Sequence, residues 1–256
     1  MFKSPCRGIV REAGTFEHDI RKGLDMIQEV REELRASVDL KYKNFHESLV
    51  PGLDSMMGVR VPRLREIARK IAKEDYKAFL EEADDRCYEE LMLQGMVIGY
   101  AKMGREEREK ALEIFVPKIN NWAVCDCCCS TYKFMKTERD YWFGFLEGYL
   151  ESEREYELRF AVVAMLDFFV TEEYIGRLLV IFNQVKSDAY YVKMAVSWAV
   201  SVCYVHFPKE TSEFLKMDTM DTFTHNKSIQ KIRESYRVSK EEKDMLLKWK
   251  REEKVL

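Results

Sequence analysis

The chain has 256 residues, 46% hydrophobic and 34% charged, with a formal net charge of −3. That is enough apolar content for one substantial core or a repeat array, and the mild acidity excludes a molecule that is basic overall. With only 11 Gly and 5 Pro, a β-rich fold with many tight turns is excluded, while abundant Leu, Glu, Lys, Met and Ala favour helix.

No apolar stretch is long enough to span a bilayer, and the N-terminus has no signal-peptide core. The seven Cys are an odd number, and four of them fall within residues 125–129. Neighbours that close suit no disulfide framework, so a reduced, cytoplasmic setting is expected. No Cys-x-x-Cys pair is followed by a matching His or Cys pair, so neither a metal nor another cofactor is expected.

Residues 1–25 carry Pro5, Gly8, Gly14 and Gly23 and show no period. They read as an extension, either a flexible tail or a helix that adapts, ahead of a single domain over 26–256. Met26 opens a cleaner amphipathic helix, with Ile27, Val30, Leu34 and Val38 on one face. After Lys41-Tyr42-Lys43-Asn44-Phe45 and a break at Pro51-Gly52, Pro62 suits the first turn of a helix running through Ile67, Ala68 and Ile71. Arg60, Arg63, Arg65, Arg69 and Lys70 crowd its start, as a solvated face or as phosphate contacts.

From residue 87 the chain repeats. Helix pairs begin near Cys87, Asn121, Arg154 and Asp188, in steps of 34, 33 and 34 residues. The first helix of each pair is apolar nearly all round: Leu91 to Tyr100, Trp122 to Phe134, Leu158 to Phe169 and Tyr191 to Val205. These should be the inner helices. The spacing predicts an all-α fold, a curved α-α superhelix or solenoid of helical hairpins, with the first helices lining its concave face.

Asp126, Arg159 and Lys193 each stand five residues into their repeat. Equivalent positions of stacked repeats form a row, so the three should be near neighbours. Trp122, one helical turn before Asp126, shares its face. Trp198 lies five residues past Lys193, roughly 140° round an ideal helix, and the row does not place it beside them. Asp126 precedes Cys127, Cys128 and Cys129, and a carboxylate in such company is either paired or poised for chemistry. The Cys themselves read as small core fillers, and His206 as a helix cap.

Thr224 to Arg233 reads as a basic helix containing Lys227 and Lys231. A last amphipathic helix is expected from Ser239 to about Glu252, opened by Ser239 and Glu242 in the form of a capping box. Lys248 and Lys250 would sit in its last turn, favourably for the helix dipole.

In this order, the landmarks resemble the DNA alkylation repair family of AlkD-like glycosylases, built from HEAT-like repeats. The resemblance covers about residues 26–250. It rests on Tyr42-Lys43-Asn44, Gly58-Val59-Arg60-Val61-Pro62-Arg63-Leu64-Arg65, Trp122-x-x-x-Asp126, Arg159 inside an apolar helix, Lys193-Met194-Ala195-Val196-Ser197-Trp198, and Asn226-Lys227-Ser228-Ile229-Gln230-Lys231-Ile232. The sequence departs from some relatives after Trp198, where Ala199-Val200-Ser201-Val202 stands in place of a stretch with an Arg-Glu pair.

The resemblance implies hydrolysis of the glycosidic bond of positively charged alkylated purines, such as 3-methyladenine and 7-methylguanine, in double-stranded DNA by a monomer. Such family members can act without turning the base into a pocket, unlike most glycosylases, and the sequence leaves open whether this chain flips its base. The resemblance implies catalytic roles for Asp126 and Trp122, with Arg159 and Trp198 completing the cleft. Arg159 would hold a phosphate beside the lesion and keep Asp126 ionised. Tyr42, Arg60, Arg63, Arg65, Lys193, Lys227 and Lys231 would meet DNA, the basic residues forming a positive groove on an otherwise acidic protein. Two rival readings share the fold: a non-catalytic protein binding bulged or branched DNA, and a helical-repeat scaffold for protein partners.

Overall fold

Several helices begin where a short polar side chain takes a backbone donor that the helix leaves unpaired. The computed structural model describes residues 25–50, 53 and 55–252; the extension over 1–24 and the break at Pro51-Gly52 lie outside them. Asp39 accepts from the amides of Lys41 and Tyr42 and starts α2 (Leu40–Glu47). Asp75 does the same for α4 (Tyr76–Glu82), Asn121 for α7 (Trp122–Cys129) and Asp221 for α13 (Thr222–Glu234). Ser239 and Glu242 form the expected capping box ahead of α14 (Lys240–Leu247). Pro62 sits in the first turn of α3 (Val61–Ile71), where its missing N–H costs nothing.

The remaining helices are α1 (25–36), α5 (Tyr88–Tyr100), α6 (Arg105–Phe115), α8 (Arg139–Glu147), α9 (Glu155–Phe168), α10 (Ile175–Gln184), α11 (Tyr190–His206) and α12 (Pro208–Met217). They form an all-α fold of helical-hairpin repeats, and the described residues hold no β-strand, only an isolated bridge between Val38 and Val59. The residues capping α5, α7, α9 and α11 are Cys87, Asn121, Arg154 and Ala189. The predicted repeat starts therefore fall on the caps, one residue early in the last case. The same alternation includes α3 with α4 and α13 with α14.

The chain clusters into two compact units, one ending at Lys118 and the other beginning at Ile119. In the first, α3 and α6 pack on α5. In the second, α7, α9, α11 and α13 pack each on the next, and α14 covers α13. The inner helices are buried on nearly all sides: every residue of α9 from Leu158 to Leu166 is buried. An outer helix buries a single face, as α10 does with Ile175, Leu178, Leu179 and Phe182.

Two helices are shorter than their apolar pattern. The helix from Trp122 stops at Cys129 because Ser130 and Thr131 turn their hydroxyls back onto the carbonyls of Cys127 and Cys128, and a separate 3-10 turn follows at Lys133–Lys136. The last helix ends at Leu247, leaving Lys248 as its cap and Lys250 beyond it. Residues 249–251 leave the helix to bind α13. Asn226 exchanges two hydrogen bonds with the Arg251 backbone, and His225 Nε2 donates to the Trp249 carbonyl at 2.9 Å. Arg251 donates to the carbonyls of Asp218 and Met220 and to the Asp218 carboxylate.

In the first unit the approach to α3 is held by a buried acid. Glu89 accepts from the backbone amides of Met57, Gly58 and Val59 at 2.8–3.2 Å. Gly58 has φ +108°, a conformation that disfavours any side chain.

Candidate active site

The second unit brings Asp126 and Arg159 together, as the repeat row predicts. Asp126 lies one turn after Trp122 on α7, and both side chains are half-buried. From α9, Arg159 Nε donates to Asp126 Oδ1 at 2.9 Å and Nη2 to Oδ2 at 2.8 Å. A planar fork facing a carboxylate is the strongest form of ion pair and fixes the carboxylate plane. Arg159 Nη1 donates to the Tyr191 carbonyl at 2.6 Å. The guanidinium is thus buried, with all three of its nitrogens donating inside the protein.

The third position of the row behaves differently. Lys193 turns to Asp188 at 3.1 Å and Asp221 at 3.8 Å. The α11 residue that reaches Arg159 is Tyr191, through its backbone. The cation whose field reaches both Asp126 and Arg159 is Lys231 of α13. Burial pushes its amine down, with Glu234 opposing that shift. Lys227, one turn away, donates to Gln230 at 2.9 Å and lies over the Phe223 ring.

Burial pushes the Asp126 carboxyl above the ordinary carboxylate range, while Arg159 and, more weakly, Lys231 pull it back. A second acid was missed from the sequence. Asp167, near the end of α9, is pushed up to about 6 by burial and by the neighbouring Asp126 charge, with Lys136 opposing. An Asp inside the run from Val162 to Phe169 was the available signal. Cys125, Cys128 and Cys129 are buried as core fillers, and the charges of Asp126 and Asp167 reach Cys129. Burial holds the Cys129 thiol well above its usual range, so it is neutral.

Trp198 lines a cleft of about 370 Å³ together with Ser201, Val202, Val205, His206 and Lys231. Lys231 is therefore common to this cleft and to the surroundings of Asp126. His206 is the last residue of α11 and faces the cleft.

The other predicted DNA contacts belong to the first unit. Arg60 pairs with Asp39 at 2.8 Å and covers the Tyr42 ring at 5.1 Å. Arg63 is divided between Glu33 at 2.6 Å and Glu66 at 2.8 Å. Arg65 donates to the Tyr100 hydroxyl at 3.3 Å. Arg60 and Arg63 thus carry acidic partners of their own, so each gives less net charge to a phosphate than an unpaired cation would.

No helix among the described residues is long and apolar enough to cross a membrane. No curated protein matches the sequence. Residues 30–251 match the family described as DNA alkylation repair enzyme. That match spans both units and most of the chain, and with it the chain belongs to the DNA alkylation repair enzyme family, with a role in repairing alkylated DNA.

Proposed function

We propose that the protein is a DNA glycosylase that hydrolyses the N-glycosidic bond of positively charged alkylated purines in duplex DNA. The lesions are of the 3-methyladenine and 7-methylguanine type, and the product enters base excision repair. The observation that carries this reading is the Asp126 carboxylate, fixed in plane by Arg159 and partly open beside the Trp122 indole.

The chemistry asks little of an acid. A cationic base takes the electron pair of the breaking bond and leaves neutral, so no proton donor is required. The sugar becomes oxocarbenium-like, and a fixed carboxylate stabilises that charge. Water adds its oxygen to C1′ and gives a proton to Asp126 or to solvent. Asp126 has about four acceptor sites, and two are used by Arg159, so a water can still be oriented. Trp122 and Trp198 offer indole faces to the developing cation and the deoxyribose. Lys227 and Lys231 supply cations for phosphates, with Tyr42, Arg60, Arg63, Arg65 and Lys193 as further DNA contacts. The protein acts as a monomer, and its thiols suit the reducing cytoplasm.

A non-catalytic DNA-binding reading draws on the same ion pair, because a carboxylate fully spent on structure needs no chemistry. Release of free 7-methylguanine from alkylated duplex DNA under single-turnover conditions decides between them. Release by the wild type that falls with Asp126→Asn is the expected result. DNA binding without any release would overturn the glycosylase reading.

A further inference from the structure

The first unit carries an apolar groove on its outer helices. Tyr76 and Leu80 of α4 line it with Ala111 and Ile114 of α6, and the buried Ile98 of α5 completes the lining. Ile114 is 65% exposed, although its helix is otherwise turned inwards through Leu112 and Phe115. A single exposed Ile is ordinary; here it is one wall of a concave surface. The groove holds about 250 Å³, below the roughly 300–1,000 Å³ of a small-molecule site. It suits one or two apolar side chains of a peptide.

The chain enters the described residues beside this groove. Asp25, the first of them, lines a polar cleft of about 560 Å³ with Met26, Glu29, Lys73, Glu74 and Asp75. Asp75 caps α4, and the next residue, Tyr76, already lines the groove. Residues 17–24 span about 12 Å as a helix and about 26 Å extended, while Tyr76 to Leu80 takes about 6 Å at helical rise. The segment before Asp25 is therefore long enough to reach every part of the α4 wall. Its composition matches what it would meet. No period runs through 1–25 as a whole, but Ile9, Ala13, Phe16 and Ile20 stand at steps of 4, 3 and 4, an apolar stripe at helical spacing. Arg21 and Lys22 adjoin a cleft in which Asp25, Glu29, Glu74 and Asp75 face Lys73 alone. Glu17 and Asp19 lie further back, where the groove carries Lys77, Lys110 and Lys118 against Glu81 and Glu107. Lys77 and Lys118 already hold Glu107 and Asp85, and Lys110 stands exposed beside them.

We propose that residues 9–24 of this same chain dock on the outer helices of the first unit, with Phe16 and Ile20 in the groove of α4 and α6 and Arg21 and Lys22 over the acidic cleft. Docking takes two large apolar side chains out of water and covers Ile114 and Leu80 in return. A short tether gives the segment an effective concentration in the millimolar range, so it outcompetes the same segment of a second copy. The charges set its direction: basic residues meet the acids next to Asp25, and acidic residues meet the lysines beyond. The assignment stands apart from the glycosylase reading and uses none of its residues.

The test is photocrosslinking of the full chain. A benzophenone amino acid at the exposed Lys110 keeps the apolar lining intact. Irradiation and peptide mass mapping should find a link within one molecule to residues 9–24, at a yield independent of protein concentration. Phe16→Asp combined with Ile20→Asp should lower that yield at least about tenfold, because both buried apolar side chains are lost. Ile114→Arg alters the groove instead and should have the same effect. A melting temperature shows whether Ile114→Arg folds; if it does not, the Phe16 and Ile20 variant, which changes no described residue, carries the test. Arg21→Glu with Lys22→Glu should lower the yield at low salt and less at high salt. A link between two copies, seen as a dimer on a denaturing gel, would give the groove to self-association and overturn the docking. A link to any residue outside 9–24, no link, or a yield that the Phe16 and Ile20 variant leaves unchanged would overturn it as well.

Discussion

Arg159 grips Asp126 with two parallel hydrogen bonds, at 2.9 and 2.8 Å, and anchors itself to the Tyr191 carbonyl with a third. In the proposed glycosylase reading, the ion pair makes Asp126 a structural and a reacting group at once. Asp126→Asn presents one acceptor and one donor to a guanidinium that has only donors. We expect a stability loss of about 1–3 kcal/mol from the buried donor left unpaired, read as a lower melting temperature. Excision per folded molecule should fall on the order of 100-fold or more, since the charge that meets the oxocarbenium is gone. Wild-type-like excision by this variant would end the catalytic reading of Asp126.

Arg159→Lys keeps a positive charge but not the fork. Asp126 must be ionised to act, burial already raises its pKa, and Arg159 is the main group opposing that rise. Weakening the opposition moves the pKa further up. The acid limb of the excision rate should therefore shift to higher pH in the variant, with a roughly tenfold lower plateau, about 1.4 kcal/mol. A pH–rate profile that overlays the wild type would show that Arg159 does not tune Asp126.

Asp167 gives a stability prediction with a definite sign. Its pKa is raised to about 6 in the folded protein. A group raised on folding stabilises the folded state below its unfolded pKa, and that contribution is lost as pH rises through the folded value. Asp167→Asn should therefore be more stable than the wild type at pH 7, by about 1–3 kcal/mol. The gap should close as pH falls through 6 towards 4, in urea unfolding at a series of pH values. An equal gap at all pH values would show that the effect is packing and not ionisation.

How much of this was legible depended on whether the signal was periodic or contextual. The repeat starts were legible because an apolar helix and a short break recur every 33 or 34 residues. The caps then fall at Cys87, Asn121 and Arg154. Equal offsets within repeats likewise brought Asp126 to Arg159. The same offset did not settle Lys193, because the acids that receive it are Asp188, at the start of its own repeat where Asn121 and Arg154 stand in the others, and Asp221, which caps α13. The ends of α7 and α14 were illegible from apolar pattern alone. At α7 they depend on Ser130 and Thr131 bonding backwards, and at α14 on a tail that finds partners on α13. Arg63 looked like an unpaired cation until the fold supplied Glu33 from another helix.

Salt dependence separates cations that face DNA from cations spent inside the protein. Each phosphate contact removed should reduce the slope of log K against log salt by roughly 0.9. Alanine at Lys227 and Lys231 together should reduce it by the largest amount. Arg63→Ala should reduce it less, because that guanidinium must first leave Glu33 and Glu66. The check is DNA affinity at several salt concentrations, and an unchanged slope in the double variant would remove α13 from the DNA surface.

Gly58 tests the support of α3. A methyl group there would stand 2.9 Å from the Asp39 carbonyl oxygen and from Lys43 Cβ, at a φ of +108°. Gly58→Ala should cost about 1–3 kcal/mol in strain. It should also loosen the three amides that Glu89 holds. Denaturant unfolding of the variant measures the cost, and a wild-type midpoint would refute it.

The fastening of α13 by Trp249 and Arg251 also bears on how the protein is made. The helix that carries Lys231 spans Thr222–Glu234, yet its partners follow 24 and 25 residues after His225 and Asn226. On the ribosome those residues are still inside the exit tunnel when α13 emerges. The inner helices α7, α9 and α11 can stack during synthesis and α13 can pack on α11, but the bonds from Trp249 and Arg251 form only when Arg251 is out. The helix that carries Lys231 is thus secured last, after the helices that carry Asp126 and Arg159.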